Sequence, residues 1–247
     1  MLGLGNSISG GAPSSSWSPS DISGLAMWLK NGAGVAVGQW DDSSGNGNHM
    51  IQANADHQAA VSGGGLDFEN ENEDVDDPGT PDFYELSTDD SKTITISANQ
   101  NMLIAAVITI EEFDKFNTIL SAGSTKYFEV KNNKVIRFNC SGTATTLTMA
   151  SATFSKEEKM LLTVSRNDGS TGTMVMYKNG IELVPTTWGN ETNPTAVDFQ
   201  NLGIRNDNDR AFDGIIHEVL VYDFGTATHT AEELANLHTY LNTVHGI

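Results

Sequence analysis

The sequence predicts an all-β fold: a two-sheet antiparallel sandwich with an extended N-terminal arm and one short C-terminal helix. Three observations lead there. Apolar runs of strand length recur roughly every eight to twelve residues after residue 100, with turn residues between them. The composition is turn-rich, with 24 glycines and 38% hydrophobic residues among 247, as suits many short strands. A helical pattern comes only at the end, over residues 230–245.

Residues 1–20 are rich in Gly and Ser, with Pro13 and Pro19, and read as an arm. Residues 21–247 read as the sandwich and its closing helix. ISGLAMWL is a compact apolar segment, and VAVGQW alternates. The chain then turns polar in WDDSSGNGNHM, Trp40–Met50. Gly45 and Gly47 supply positive-φ positions there, and Asn46 and Asn48 tolerate them. The stretch reads as a tight turn between strands, with Trp40 capping a sandwich edge. TITIS (93–97) and NMLIAAVITI (101–110) follow as strands. The second is apolar without interruption, which fits a strand covered on both faces.

FNTILSAG, KYFEVKNN, KVIRFNC, TTLTMAS, KMLLTVSRND, TMVMYKNGIELV, QNLGIR and GIIHEVLVYD supply further strands. VKNNKV predicts a hairpin turn at Asn132–Asn133. YKNGIEL predicts one at Asn179–Gly180, the strongest short hairpin signal there is. In THTAEELANLHTYLNTVHGI, Thr230 and Glu233 form a capping-box pattern. Leu234, Leu237, Leu241 and Val244 form an apolar stripe, and Gly246 suits a C-terminal stop.

Several of these segments, taken in order, resemble laminin G-like, concanavalin A-like domains of bacterial surface proteins and tailed-phage structural proteins. SPSDISGLAMWL, GQWDDSSGNGNHMIQAN and GGGLDFENENEDVDDPGTPDFYEL are similar to that family's opening. Ser44–Asn48 give its S-G-N-G-N loop, Phe68 its strand aromatic, and Tyr84, Glu85 and Leu86 the element after it. LLTVSRND and GTMVMYKNGIEL are similar to its paired strands. Gly214, Ile216, Glu218, Val219, Val221 and Tyr222 match its closing strand, G-x-I-x-E-V-x-V-Y. The likeness covers roughly residues 17–245 and implies a jelly-roll sandwich. The chain departs from the family in an acidic insert, Asp67–Asp82, with eight Asp and Glu residues. Many relatives bind calcium at sandwich rims, and Ca²⁺ takes carboxylate and backbone oxygens. Asp74, Asp76 and Asp77 are the calcium candidates; a solvated acidic loop is the plain alternative.

Charge narrows the partners. With 32 acidic and 13 basic residues the net charge is −19. Such a surface repels nucleic-acid phosphates and anionic membranes. Cys140, the one cysteine, sits in the alternating VIRFNC and reads as a core residue. The N-terminus lacks a basic segment followed by an apolar one, so no secretory signal is expected, and no run has membrane-helix length.

No catalytic constellation is visible. Some glucanases share the sandwich and carry E-x-D-x-x-E on one strand; retaining chemistry needs two carboxyls about 5–5.5 Å apart. The nearest pattern here, Glu71-x-Glu73-x-x-Asp76, lies in a Pro/Gly-flanked loop, and Glu129 and Glu218 stand alone on their strands. The histidines are scattered, with His238 and His245 expected at the surface or an interface. A non-enzyme is therefore expected. TTWGNETNP offers Trp188, Asn190 and Asn193 as a sugar platform in a loop. The reading reached is a virion structural protein, capsid-decorating or tail-associated, docked through its arm or a sheet edge. It would be assembled in the host cytoplasm beside other virion proteins or copies of itself. The alternative is a lectin module for host glycans.

Overall fold

The computed structural model describes residues 17–69, 80–86, 92–113, 116–140, 143–168, 170–189, 192–205 and 210–247. Among these, two antiparallel sheets face each other. The first has eight strands, in the order Ile181–Glu182, Thr173–Lys178, Lys159–Asp168, Asn101–Ile110, Gly214–Gly225, Gly65–Phe68 and Ala60–Ser62. Its eighth, Leu25–Leu29, also pairs with the long strand Gly214–Gly225. The second sheet has ten, running Thr187–Gly189, Thr143–Thr148, Val135–Cys140, Tyr127–Asn132, Asn117–Ser121, Asn201–Leu202, Tyr84–Glu85, Met50–Ile51, Gln39–Trp40 and Val35–Ala36. The expected β-sandwich is the fold observed.

The run Asn101–Ile110 shows why its residues are apolar without a break. Met102, Ile104, Ala106, Ile108 and Ile110 enter the core between the sheets. Leu103, Ala105 and Val107 point the other way, into a second apolar layer under the C-terminal helix. Side chains alternate along a strand, so only a strand buried on both faces reads this way.

The helix Ala231–His245 builds that second layer with Leu234, Leu237 and Leu241 against Trp28, Leu220 and Tyr222. Thr230 Oγ1 accepts from Glu233 N at 3.1 Å, and Glu233 Oε2 accepts from Thr230 N at 2.6 Å. Gly246 closes the helix in the left-handed region at φ 69°. Val244 departs from the expected stripe and is 52% exposed; His238 takes an inward position instead. Residues 17–21 belong to the same layer: the Trp17 ring lies 5.8 Å from that of Tyr240, and Tyr222 OH donates to Pro19 O at 3.0 Å. Residues 1–16 of the expected arm lie outside the described residues.

Two local expectations are corrected. Trp40 does not cap an edge: it is fully buried between the sheets, and its Nε1 donates to Lys30 O at 3.2 Å. Asn132 pairs with Val135, so the first hairpin turns at Asn133–Lys134, one residue later than expected. The second hairpin turns where expected, with Asn179 and Gly180 both at positive φ, the geometry that matches strand twist.

Asp42 explains the S-G-N-G-N loop. Its Oδ1 accepts from Trp28 N at 2.9 Å and Ser44 N at 2.8 Å. Its Oδ2 accepts from Ser44 Oγ at 2.7 Å and Asn48 N at 2.9 Å. Asn46 Nδ2 donates to Leu25 O, and Asn48 Nδ2 to Ala26 O, each at 2.8 Å. The loop thus clamps onto strand Leu25–Leu29, and its polar residues have structural work there.

Candidate functional site at the sandwich rim

Three central strands of the eight-stranded sheet end together at one rim. Lys159–Asp168 and Gly214–Gly225 finish there, and Asn101–Ile110 begins there: Met102 pairs with both Arg166 and Asp223. The residues at these ends, with their loops, line an open cavity of about 310 Å³. Its lining is Asn99, Asn101, Asn167, Asp168, Ser170, Thr226 and Thr228, all of them Asn, Asp, Ser or Thr.

The frame beneath is built on Arg166, which is fully buried. Its Nε donates to Gln100 O at 2.7 Å. Its Nη1 donates to Asn193 O at 2.9 Å and Thr195 O at 2.7 Å, and its Nη2 to Ser97 O at 3.3 Å. One side chain therefore ties two rim loops to the strand that carries it. Burial pulls its pKa below the ordinary arginine value, with Cys140 and Asp223 opposing. Gly172 joins the same frame: its N–H donates to Asp168 O, and its carbonyl accepts from Asn193 N, each at 2.6 Å.

Asp168 is held by its own turn. Oδ1 accepts from Ser170 Oγ at 2.6 Å and from Ser170 N at 3.1 Å. The Ser170 hydroxyl first, then the Thr171 N–H, keep its carboxyl below the usual value, so it is ionised at neutral pH. Asn101 is anchored through Nδ2 to Ala227 O at 2.7 Å. The rim thus presents amide, hydroxyl and carboxylate groups on short side chains, several fixed by neighbours. Such groups pair with a ligand that offers many hydroxyls.

The residues singled out in the sequence fall elsewhere. Asp74, Asp76 and Asp77 lie outside the described residues, as does Asn190. Trp188 stands on strand Thr187–Gly189 of the other sheet, paired in register with Leu147. Asn193 is 1% exposed, and its Oδ1 accepts from Thr195 Oγ1 at 2.6 Å, which places it in the rim's frame. Among the described residues no three His, Cys, Asp or Glu side chains are placed to hold a metal ion, and no helix is long and apolar enough to cross a membrane. Cys140 is a core residue, its thiol pushed up to about 12, mainly by burial.

Glu129 and Glu218, expected as single carboxylates on their strands, each meet a basic side chain. Glu218 Oε2 lies 2.6 Å from His245 Nε2, and Glu129 Oε1 lies 2.6 Å from Arg137 Nη1. His238 and the imidazole of His245, expected at the surface or an interface, are buried within the chain. The rim lining was missed because Asn99, Asn167 and Thr228 look like ordinary turn residues. Only the convergence of three strand ends makes them a pocket.

No protein-family model matches the sequence, and no curated protein is significantly similar to it. Folded structures do match. The sialidase of Trypanosoma rangeli in complex with sialic acid superposes with a TM-score of 0.59 at 15% identity, covering 90% of this chain and 34% of the sialidase. Another structure of the Trypanosoma rangeli sialidase gives 0.54 at 15% identity, with coverage of 90% and 34%. The receptor-binding domain of botulinum neurotoxin C/D mosaic serotype gives 0.46 at 15% identity, covering 89% of this chain and 51% of that domain's. The chain spans about a third of the length of the sialidases it matches. At this identity the likeness is one of fold, a β-sandwich. It also overturns the expectation of a non-enzyme. The same sandwich forms part of enzyme chains, so neither the fold nor the missing strand motif excludes catalysis.

Proposed function

We propose that this chain is a carbohydrate-binding β-sandwich that takes a sugar in the rim cavity. The observation that carries the reading is the lining itself: seven side chains, every one Asn, Asp, Ser or Thr, around about 310 Å³. That volume sits at the small end of ligand sites. Adjacent sugar hydroxyls offer donor and acceptor together, which carboxylate and amide side chains accept and return. Asp168 is ionised and held in place by Ser170 before any ligand arrives. The fold shared with a sialidase that holds sialic acid supports the same reading.

Display on a phage particle is a finer setting that we propose on the sequence resemblance alone. Capsid or tail proteins, or further copies of the chain, would be the neighbours there. Purified particles that lack the protein would remove this setting and leave the sugar site untouched.

The direct test is a glycan array with the wild-type chain, Asp168→Ala and Asn167→Ala. Both positions are exposed, and a melting curve of each variant checks that it folds. The expected result is a defined set of bound glycans, weakened about tenfold or more by Asp168→Ala. Binding that both variants leave intact, or no bound glycan at all, overturns the reading.

A further inference from the structure

The chain has only four arginines, and three of them converge on one carboxylate. Glu129 lies on strand Tyr127–Asn132 of the ten-stranded sheet. Phe128 and Val130 enter the core between the sheets, so Tyr127 and Glu129 occupy the opposite face. Arg137, paired with Glu129 in register, places Nη1 2.6 Å from Oε1. Arg210 Nη1 lies 3.6 Å from Oε1, and Arg205 Nη1 lies 3.9 Å from Oε2.

Aromatic rings support the guanidinium groups. Arg210 lies 3.8 Å over the Phe116 ring, and Arg205 4.7 Å over Tyr127. Arg137 Nη2 also donates to Tyr127 OH. Lys131 adds a fourth cation, 5.5 Å over Phe116.

The cluster leaves polar atoms without hydrogen bonds. Arg210 Nε and Nη1 are buried with no hydrogen-bond partner, and so is Glu129 Oε2. Thr118 Oγ1, opposite Glu129 in register, is in the same condition. Buried groups of this kind are rarely left unmatched, and a buried guanidinium donor is costly to leave so. Glu129 is fully buried, whereas the side chains of Arg137 and Arg210 remain 20% and 21% exposed. A ligand can therefore reach the exposed parts of these two side chains without displacing the carboxylate.

We infer that Arg137 and Arg210, backed by Phe116 and Tyr127, form a binding site for a carboxylate-bearing ligand on the outer face of the ten-stranded sheet. A planar guanidinium fork matches a carboxylate with two N–H donors, a geometry that lysine does not reproduce. The site lies on the sheet opposite the rim cavity and stands or falls independently of it.

The test uses D-glucuronate as the probe, with D-glucose as the uncharged control and inorganic sulfate as a competitor. Side-chain Nε–Hε resonances of the ¹⁵N-labelled full chain report directly on the arginines. Glucuronate shifts those of Arg137 and Arg210; glucose does not. Competition by sulfate assigns recognition to the oxyanion, and its absence to the carboxylate with its sugar ring. Arg210→Gln, checked for folding by its melting curve, weakens glucuronate about tenfold or more, and Arg210→Lys recovers only part of the loss. No shift in the wild-type chain overturns the inference, as does an equal response to glucose. A further variant, Asp207→Asn with Asp209→Asn, covers the carboxylates that stand between Arg205 and Arg210 in the sequence. Binding seen only in that variant overturns the inference too, since the arginines would then be serving those residues.

Discussion

His245 Nε2 lies 2.6 Å from one oxygen of Glu218, and Trp28 Nε1 donates to the other oxygen at 2.6 Å. Three elements meet there: the last turn of the helix, the central strand Gly214–Gly225 and the strand Leu25–Leu29. Both Glu218 and the His245 imidazole are almost fully buried. Removing one member of a buried pair strands its partners, so Glu218→Ala is expected to cost about 3–5 kcal/mol. Glu218→Gln keeps an acceptor for Trp28 and should cost less. Urea denaturation followed by far-ultraviolet circular dichroism measures both; equal losses would contradict the pairing.

His217 and His238 make the fold sensitive to mild acid. Burial, first of all, pushes each down to about 4; Lys159 and His245 add to this at His217, and His229 at His238. Their Nε2 atoms face Thr109 Oγ1 at 2.9 Å and Thr163 Oγ1 at 3.2 Å. Unfolded, each titrates near 6.5. Between those values the unfolded chain binds more protons, so stability is full above about pH 6.5 and falls as pH drops toward about 4. The loss is bounded at about 3 kcal/mol per histidine. Urea midpoints at about pH 7 and about pH 4.5 measure it, and His238→Gln should shrink the difference. An unchanged difference would remove His238 from the account.

Asp42 responds with the same sign to acid, in a lower pH window. Burial works against its charge, but N–H groups of Trp28, Ser44 and Asn48 and the Ser44 hydroxyl outweigh it and hold the carboxyl below 3.8. Its contribution is present above the unfolded value and lost as pH falls through the lower folded one. Asp42→Asn keeps the shape but replaces one acceptor oxygen by a donor among four converging donors. A loss of about 2 kcal/mol is expected at neutral pH, with sugar binding at the rim unaltered. A variant as stable as the wild type would show that the S-G-N-G-N loop does not depend on this carboxylate.

The sandwich was legible in the chain because its signals are local. Asn101–Ile110 announces two covered faces through its own ten residues, Asn179–Gly180 sets its turn unaided, and Thr230 with Glu233 marks the helix start. The candidate sites were not legible, for the converse reason. Asn101, Asp168 and Thr228 are far apart in sequence and become neighbours only where strand ends align. Arg137, Arg205 and Arg210 look like ordinary surface cations until the register of Glu129 with Arg137 is known. Trp40 misled because an aromatic beside a polar loop reads as a boundary residue, while the strand Gln39–Trp40 turns it inward.

The helix offers the sharpest test of how its face is set. Leu241 is fully buried against the outer layer of the eight-stranded sheet, whereas Val244, one turn away, is 52% exposed. Both occupy the apolar stripe that helical spacing picks out, so periodicity alone assigns them equal weight. Packing does not. Leu241→Ala removes buried methyl groups from a site that Trp28, Leu220 and Tyr222 cannot collapse into fully, and about 3 kcal/mol is expected. Val244→Ala should stay within about 0.5 kcal/mol, as a surface change does. Thermal or urea unfolding of the two variants side by side decides the matter. Similar losses would mean that the helix turns Val244 toward the sheet, and that Leu241, His238 and the His245–Glu218 contact must be reassigned with it.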